Sequence, residues 1–331
     1  MTKVYQAIMC GGEGKRLWPL SRRSLPKYYF PLADGESLFQ KSFRRALCTS
    51  AIEDILLVTT EVNKHSALKQ ARAIIPAFPS ENLIIRPEGK ETFATLACAL
   101  GVMIDRGATK DDVLICAPAD HVITDLEAYR NTLSNCINAG KEALTVIGIR
   151  PTHPSRDFGY IEYESASATS AAFLVKRFTE KPDTERAKEF LAAGNYLWNA
   201  GFYIGSLRVY LDEITHVEPT AVNIINGGTK RITIDFDQLP DSSIDYVISE
   251  HSTKMKVVPA TFDWDDYGDL ESFVAARKYD QPQAVFDGEN VTAYAERKLV
   301  VSVGMSNLII IDTRDALLVA DRRHVGNLST V

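Results

Sequence analysis

The chain has 331 residues, long enough for one large domain plus a smaller one, and its 45% hydrophobic and 24% charged content excludes a disordered protein. A formal net charge of -6 argues against a general nucleic-acid or membrane-surface binder, so any positive field has to be local to a cleft. Five cysteines, Cys10, Cys48, Cys98, Cys116 and Cys136, lack metal-type spacing and sit mostly in apolar runs; without an N-terminal leader pattern, they point to a reduced, cytoplasmic protein.

Apolar runs and helical patterns alternate from the N-terminus. Strands are predicted over residues 4–10, 55–59, 83–85, 113–116 and 144–149, and helices over 37–48, 63–74, 92–105 and 126–138. That alternation predicts βαβ units and a parallel sheet, with ligands at the carboxyl ends of the strands, where Gly11 and Asp120 fall. Between residues 159 and 259 the rhythm loosens: strand-like 160–163, 173–178, 201–204 and 255–258 are broken by helices near 184–193, 207–214 and 243–250. These read as additions to one continuous domain over residues 1–280. Beyond it, short runs at 291–295, 299–303, 308–311 and 317–320 recur at nearly even spacing, which predicts a small all-β module over 281–331.

The segment Cys10-Gly11-Gly12-Glu13-Gly14-Lys15-Arg16-Leu17 follows the first strand directly, and Pro26-Lys27 follows soon after. Three glycines clear side chains away from backbone N–H groups, and Lys15, Arg16 and Lys27 surround the loop with positive charge, as a phosphate cradle requires. It is not a Walker A loop, which needs a glycine where Met9 stands and a Ser or Thr where Arg16 stands. Nor is it a dinucleotide fingerprint, whose last glycine would fall on Leu17.

The run from Gly11 to Arg22, containing Leu17-Trp18-Pro19-Leu20-Ser21-Arg22, and then Pro26-Lys27, resembles the signature of the sugar-1-phosphate nucleotidylyltransferases, most closely the mannose-1-phosphate guanylyltransferases. Further blocks follow in the family's order: Pro118-Ala119-Asp120-His121, Phe158-Gly159-Tyr160-Ile161, Phe178-Thr179-Glu180-Lys181-Pro182, Trp198-Asn199-Ala200-Gly201 and Trp264-Asp265-Asp266-Tyr267-Gly268. The resemblance implies an α/β fold: a Rossmann-like, mostly parallel mixed sheet flanked by helices, with a left-handed β-helix-like C-terminal module that serves homodimerisation. It implies transfer of GMP from GTP to α-D-mannose 1-phosphate, releasing pyrophosphate, with Mg²⁺ or Mn²⁺ as cofactor. An end at Val331 leaves no room for the isomerase domain of longer relatives.

Joining two anions demands positioning and charge neutralisation rather than a covalent nucleophile. By the resemblance, Gly11, Gly12 and Gly14 cradle the nucleotide, and Arg16 binds the β- and γ-phosphates through its fork. Lys27 meets the α-phosphate or the incoming phosphate, and these two cations are the candidate catalytic residues. Asp120 and Asp266 hold the metal, which needs only one or two protein carboxylates. Gly159, Glu180, Lys181 and Asn199 receive the sugar phosphate, Lys181 at its phosphate. His121 is read as structural.

Two stretches depart from the family. Tyr28 and Tyr29 stand where a glutamine commonly follows the lysine; they are core aromatics or walls of the cleft, and the core reading is favoured. The segment that by the resemblance meets the base and ribose is Arg86-Pro87-Glu88-Gly89-Lys90-Glu91-Thr92, in which Arg86 suits guanine O6 and N7, and Lys90 is expected to offset the negative charge of Glu91 by pairing with it. The changes keep two alternatives open: the same transfer to another hexose 1-phosphate or a cyclitol phosphate, and a non-catalytic regulatory subunit that binds nucleotide sugars.

Overall fold

Strand β1 (Val4–Met9) is buried along both faces, as a strand with helices on either side must be. The computed structural model describes residues 2–12, 17–22, 25–32, 34–164, 171–268, 270–276, 283–286, 288–295 and 297–325. After β1 come α1 (Leu38–Ala46), β2 (Ile55–Thr59), α2 (Lys64–Ile74), β3 (Leu83–Ile85), α3 (Thr92–Asp105) and β4 (Val113–Pro118). The chain continues through β5 (Val122–Ile123), α4 (Leu126–Gly140), β6 (Thr145–Ile149), β7 (Tyr160–Tyr163), β8 (Phe173–Thr179), α5 (Thr184–Ala193) and β9 (Tyr196–Ser206). Then follow α6 (Leu207–Val217), α7 (Pro219–Asn226), α8 (Gly228–Ile234), β10 (Lys256–Pro259), β11 (Trp264–Asp265) and α9 (Leu270–Ala276).

The main sheet runs β3-β2-β1-β4-β9-β6-β10-β8-β7. Its first four strands pair in parallel, which sets the carboxyl ends of β1, β2, β3 and β4 along one edge. Long strand β9 runs antiparallel to β4, β6 and β7, so the second half is mixed. Local chemistry agrees with this assignment. Helix α1 starts at a reciprocal capping box between Ser37 and Gln40, and α4 starts where Asp125 accepts from the N–H groups of Glu127 and Ala128. The helix expected over 243–250 is instead a π-helical turn, Asp245–Ser249.

The C-terminal module contains β12 (Gln283–Phe286), β13 (Thr292–Ala295), β14 (Val300–Val303), β15 (Leu308–Asp312) and β16 (Leu317–Asp321). β12 pairs in parallel with β14, and β13 with β15, so alternate strands stack coil on coil as in a β-helix. Tyr294, Ile309 and Ile311 share one buried cluster with Leu17, Leu20, Tyr29, Phe30 and Phe273. Arg22 Nη2 adds an ion pair to Asp315 Oδ1 at 2.8 Å. The module is thereby fastened to the segment that follows the glycine loop.

Candidate active site

Gly11 and Gly12 leave the carboxyl end of β1, whereas Gly14, Lys15 and Arg16 lie outside the described residues. Tyr28 and Tyr29 are buried beneath this loop. The Tyr28 hydroxyl donates to Gly12 O, and a Cβ at Gly12 would lie 2.9 Å from that hydroxyl oxygen. Position 12 therefore has no room for a side chain on the side that faces Tyr28. Tyr29 Oη donates to Cys10 O at 3.2 Å, and Thr59 Oγ1 donates to the same carbonyl at 2.9 Å, fixing where the loop begins.

Lys27 opens a short 3₁₀ turn, Lys27–Tyr29, that points its ammonium inward. Its Nζ lies 2.7 Å from Asp120 Oδ2 and donates to Asp266 O at 3.3 Å. The two aspartates are 146 positions apart in sequence (266 − 120), yet the ribbon of β5 with β11 joins them: Trp264 registers with Ile123, and Asp265 with Val122. Trp264 Nε1 donates to His121 Nδ1 at 3.2 Å, and Arg45 Nη2 donates to His121 O at 2.8 Å. His121 is a structural brace in this arrangement. Burial pushes its imidazole down to about 4 despite the Asp120 charge, so it is neutral at pH 7.

Burial also works against charge on Asp120, but Lys27 and then His121 outweigh it and hold that carboxyl below its ordinary value. Asp266 goes the other way. Burial lifts it to about 6, with Lys27 opposing the rise and Asp120 adding to it. The Lys27 ammonium pairs with the Asp120 carboxylate and reaches only the backbone carbonyl of Asp266, whose Oδ1 accepts from Gly268 N at 3.1 Å; two carboxylates brought this near one another form an oxygen-rich spot of a kind that suits a hard divalent ion with substrate oxygens and water as its other ligands. Among the described residues no group of three or more His, Cys, Asp or Glu is placed to hold a metal by itself.

At the end of β3, Arg86 is buried, and its backbone N–H donates to Thr59 O at 2.9 Å. Its Nη1 donates to Pro87 O at 3.0 Å, while its buried Nε has no hydrogen-bond partner among the described residues. Lys90 does not reach Glu91: its Nζ donates to Leu239 O at 2.7 Å and to Asp237 O at 3.1 Å. The reason is geometric, since Glu91 caps α3 while the lysine extends toward the loop around Phe236.

The four residues assigned to the sugar phosphate do converge. Glu180 and Lys181 follow β8, and Lys181 Nζ lies 2.5 Å from Glu180 Oε1. A Cβ on Gly159 would meet Glu180 Oε2 at 2.5 Å and the Phe178 ring at 2.8 Å, so a side chain there would displace both. Asn199 N donates to Gly159 O at 2.8 Å, and Gly201 N donates to Asn199 Oδ1 at 3.0 Å. Asn199 Nδ2 donates to Tyr203 Oη at 2.9 Å and to Asp245 Oδ1 at 2.8 Å. Asp245 and Tyr203 were not singled out in the sequence, where neither stands in a recognisable motif. Burial, then the Asp245 charge, raise Glu180 to about 7 against the pull of Lys181.

A cleft of about 630 Å³ opens beside Asp265 and Asp266, walled by Phe158, Trp198 and Trp264 and, from the C-terminal module, Ile309. Among the described residues no helix is long and apolar enough to cross a membrane.

This geometry has close counterparts. The chain is 31% identical to the mannose-1-phosphate guanylyltransferase of Escherichia coli K12, over 100% of this chain and 73% of that protein. It is 30% identical to the alginate biosynthesis protein AlgA of Pseudomonas aeruginosa, over 98% of this chain and 70% of that protein. The crystal structure of mannose-1-phosphate geranyltransferase from Thermus thermophilus superposes with a TM-score of 0.87 at 27% identity, covering 99% of this chain and 98% of that one. The UTP-bound UGPase of Acinetobacter baumannii, at 16% identity and a TM-score of 0.51, shares the fold over 83% of this chain and 92% of that one. The MannoseP isomerase/GMP-like beta-helix domain profile matches residues 283–325. The nucleotidyl transferase profile matches residues 5–283, and the chain is therefore an enzyme of the nucleotidyl transferase family.

Proposed function

We propose that this enzyme transfers GMP from GTP to α-D-mannose 1-phosphate, giving GDP-mannose and pyrophosphate. The observation that carries the reading is the meeting of Lys27, Asp120 and Asp266 at the carboxyl edge of the sheet, in a chain similar over its whole length to a mannose-1-phosphate guanylyltransferase.

In this reading, Asp120 and Asp266 hold Mg²⁺ or Mn²⁺, which when bound supplies neutralisation of triphosphate charge. Lys27 places a compact positive charge beside the α-phosphate, where attack by the sugar phosphate oxygen crowds two anions together. Arg16 meets the pyrophosphate side. Arg86 turns its guanidinium to O6 and N7 of guanine, a pairing that adenine cannot offer because its N6 is a donor. Lys90 holds the 237–239 loop beside the base segment. Lys181 binds the phosphate of the acceptor, while Gly159, Glu180 and Asn199 surround its ring. No protein nucleophile takes part; the acceptor oxygen forms the new bond to the α-phosphorus and pyrophosphate leaves with the electrons of the broken one.

Two copies join through the C-terminal module, where Leu299, Val301, Val303, Leu317 and Val319 are exposed apolar side chains that a second copy would cover. The free cysteines Cys10, Cys48, Cys98, Cys116 and Cys136 suit a reducing cytoplasm. Pyrophosphate release, measured over a grid of nucleoside triphosphates and sugar 1-phosphates, tests the activity. The highest kcat/KM falls on GTP with mannose 1-phosphate; a clear maximum on another pair overturns the assignment, and release of none in any pair overturns catalysis.

A further inference from the structure

We propose that Asp245 is a further substrate-binding residue, one that sets acceptor specificity by receiving a ring hydroxyl of the sugar phosphate through Oδ2. The proposal rests on the reading of Glu180, Lys181 and Asn199 as the acceptor end of the cleft.

Asp245 begins the π-helical turn Asp245–Ser249, an irregularity that swings its carboxylate toward β9 and the end of β8. One oxygen is anchored. Oδ1 accepts from Asn199 Nδ2 at 2.8 Å and from the hydroxyl of buried Tyr203. The other oxygen has no hydrogen-bond partner among the described residues, although the residue is only half-buried. A carboxylate has lone pairs for about four hydrogen bonds, so half of this one's capacity is held ready. Asn199 is largely committed, since its Oδ1 accepts from Gly201 N and both amide hydrogens go to Tyr203 and Asp245.

The surroundings select the ligand. Lys181 supplies a cation for a phosphate, and Glu180 Oε1 is turned to that lysine while Oε2 lies over Gly159. Two carboxylates that each offer one oxygen across a glycine floor suit a polyhydroxylated ring, whose hydroxyls donate to both. An anchored acceptor aimed at one hydroxyl also rejects analogues in which that hydroxyl is absent, since the desolvated carboxylate is then left unpaired. The ligand class is a hexose 1-phosphate with a free hydroxyl facing Asp245.

The test compares kcat/KM for mannose 1-phosphate with its 2-, 3-, 4- and 6-deoxy analogues, in the unaltered enzyme and in Asp245→Ala and Asp245→Asn. The unaltered enzyme loses roughly ten- to a hundredfold on one analogue. Asp245→Ala loses a similar factor on the parent substrate and nothing further on that analogue. Asp245→Asn, which keeps shape and fold, raises the KM for the sugar phosphate while the KM for the nucleotide stays within about twofold. A uniform loss across parent and all analogues, or no loss at all, overturns the proposal by showing a merely structural carboxylate. Lys181→Ala separates this from the underlying reading. If it leaves the sugar-phosphate KM unchanged, the acceptor end lies elsewhere and the proposal falls with it; if it raises that KM while the Asp245 variants show no analogue dependence, only Asp245 is misassigned.

Discussion

The Lys27 ammonium sits 2.7 Å from Asp120 Oδ2 and also donates to the backbone carbonyl of Asp266, so one cation ties together two acidic residues that are far apart in the chain. It is the internal counterion of the cleft. When it is removed, two neighbouring carboxylates face each other without compensation, and Asp120 loses the partner that keeps it charged. Lys27→Ala is expected to lower kcat/KM by about a hundredfold or more. It also destabilises the fold by about 2 kcal/mol, less than a fully buried pair would cost because both side chains keep some solvent contact. Denaturant unfolding with added Mg²⁺ checks the cause: divalent cation restores more stability to Lys27→Ala than to the unaltered enzyme. Equal shifts in both would show that the lysine is not standing in a cation site.

Asp120→Asn and Asp266→Asn each keep side-chain shape and remove charge. Each is expected to reduce turnover by about a hundredfold or more with circular dichroism unchanged, and chelator is expected to abolish activity in the unaltered enzyme. Turnover unaffected in both variants would remove the metal role from this pair.

Glu180 provides a pH handle. Its pKa rises from an ordinary 4.5 to about 7 through burial and then Asp245, so folding favours the protonated form. Stability therefore declines as pH climbs from about 4.5 towards 7, and Glu180→Gln, which mimics the protonated form, flattens that decline in thermal unfolding. As an acceptor for hydroxyls Glu180 works best when ionised. The kcat/KM for the sugar phosphate accordingly rises through about pH 7, and that limb disappears in Glu180→Gln. A limb retained in the variant belongs to another group.

The exposed apolar side chains of the C-terminal module predict assembly. Val303 on β14 and Val319 on β16 are 65% and 56% exposed. Light scattering coupled to size exclusion should give a dimer, and Val303→Lys with Val319→Lys a monomer. A monomer for the unaltered chain would contradict the pairing.

Much of this was legible in the sequence because it is local. The strand Val4–Met9 followed by glycines could be read from one apolar run and one cluster of small residues. Helix Thr92–Asp105 was legible from a long apolar pattern bounded by polar residues. What holds Asp120 beside Asp266 was not legible, since β5 and β11 are two residues each and too short to show periodicity. Lys27 was seen as a phosphate ligand, but its contact with both aspartates depends on how β4, β11 and a 3₁₀ turn meet. Gly12 looked like an opening for phosphate, and only the Tyr28 hydroxyl beneath it shows the second reason no side chain fits. Asp245 escaped notice because an irregular helical turn, not a motif, brings it to Asn199 and Tyr203.

The central claim, guanylyl transfer to mannose 1-phosphate, is tested most directly by competition among GTP, ATP, UTP and dTTP at a fixed mannose 1-phosphate concentration, with the nucleotide-sugar products resolved by mass. The account predicts GDP-mannose as the main product, with GTP preferred by roughly tenfold or more over ATP, and that preference reduced in Arg86→Ala. A higher kcat/KM for ATP, UTP or dTTP would contradict it.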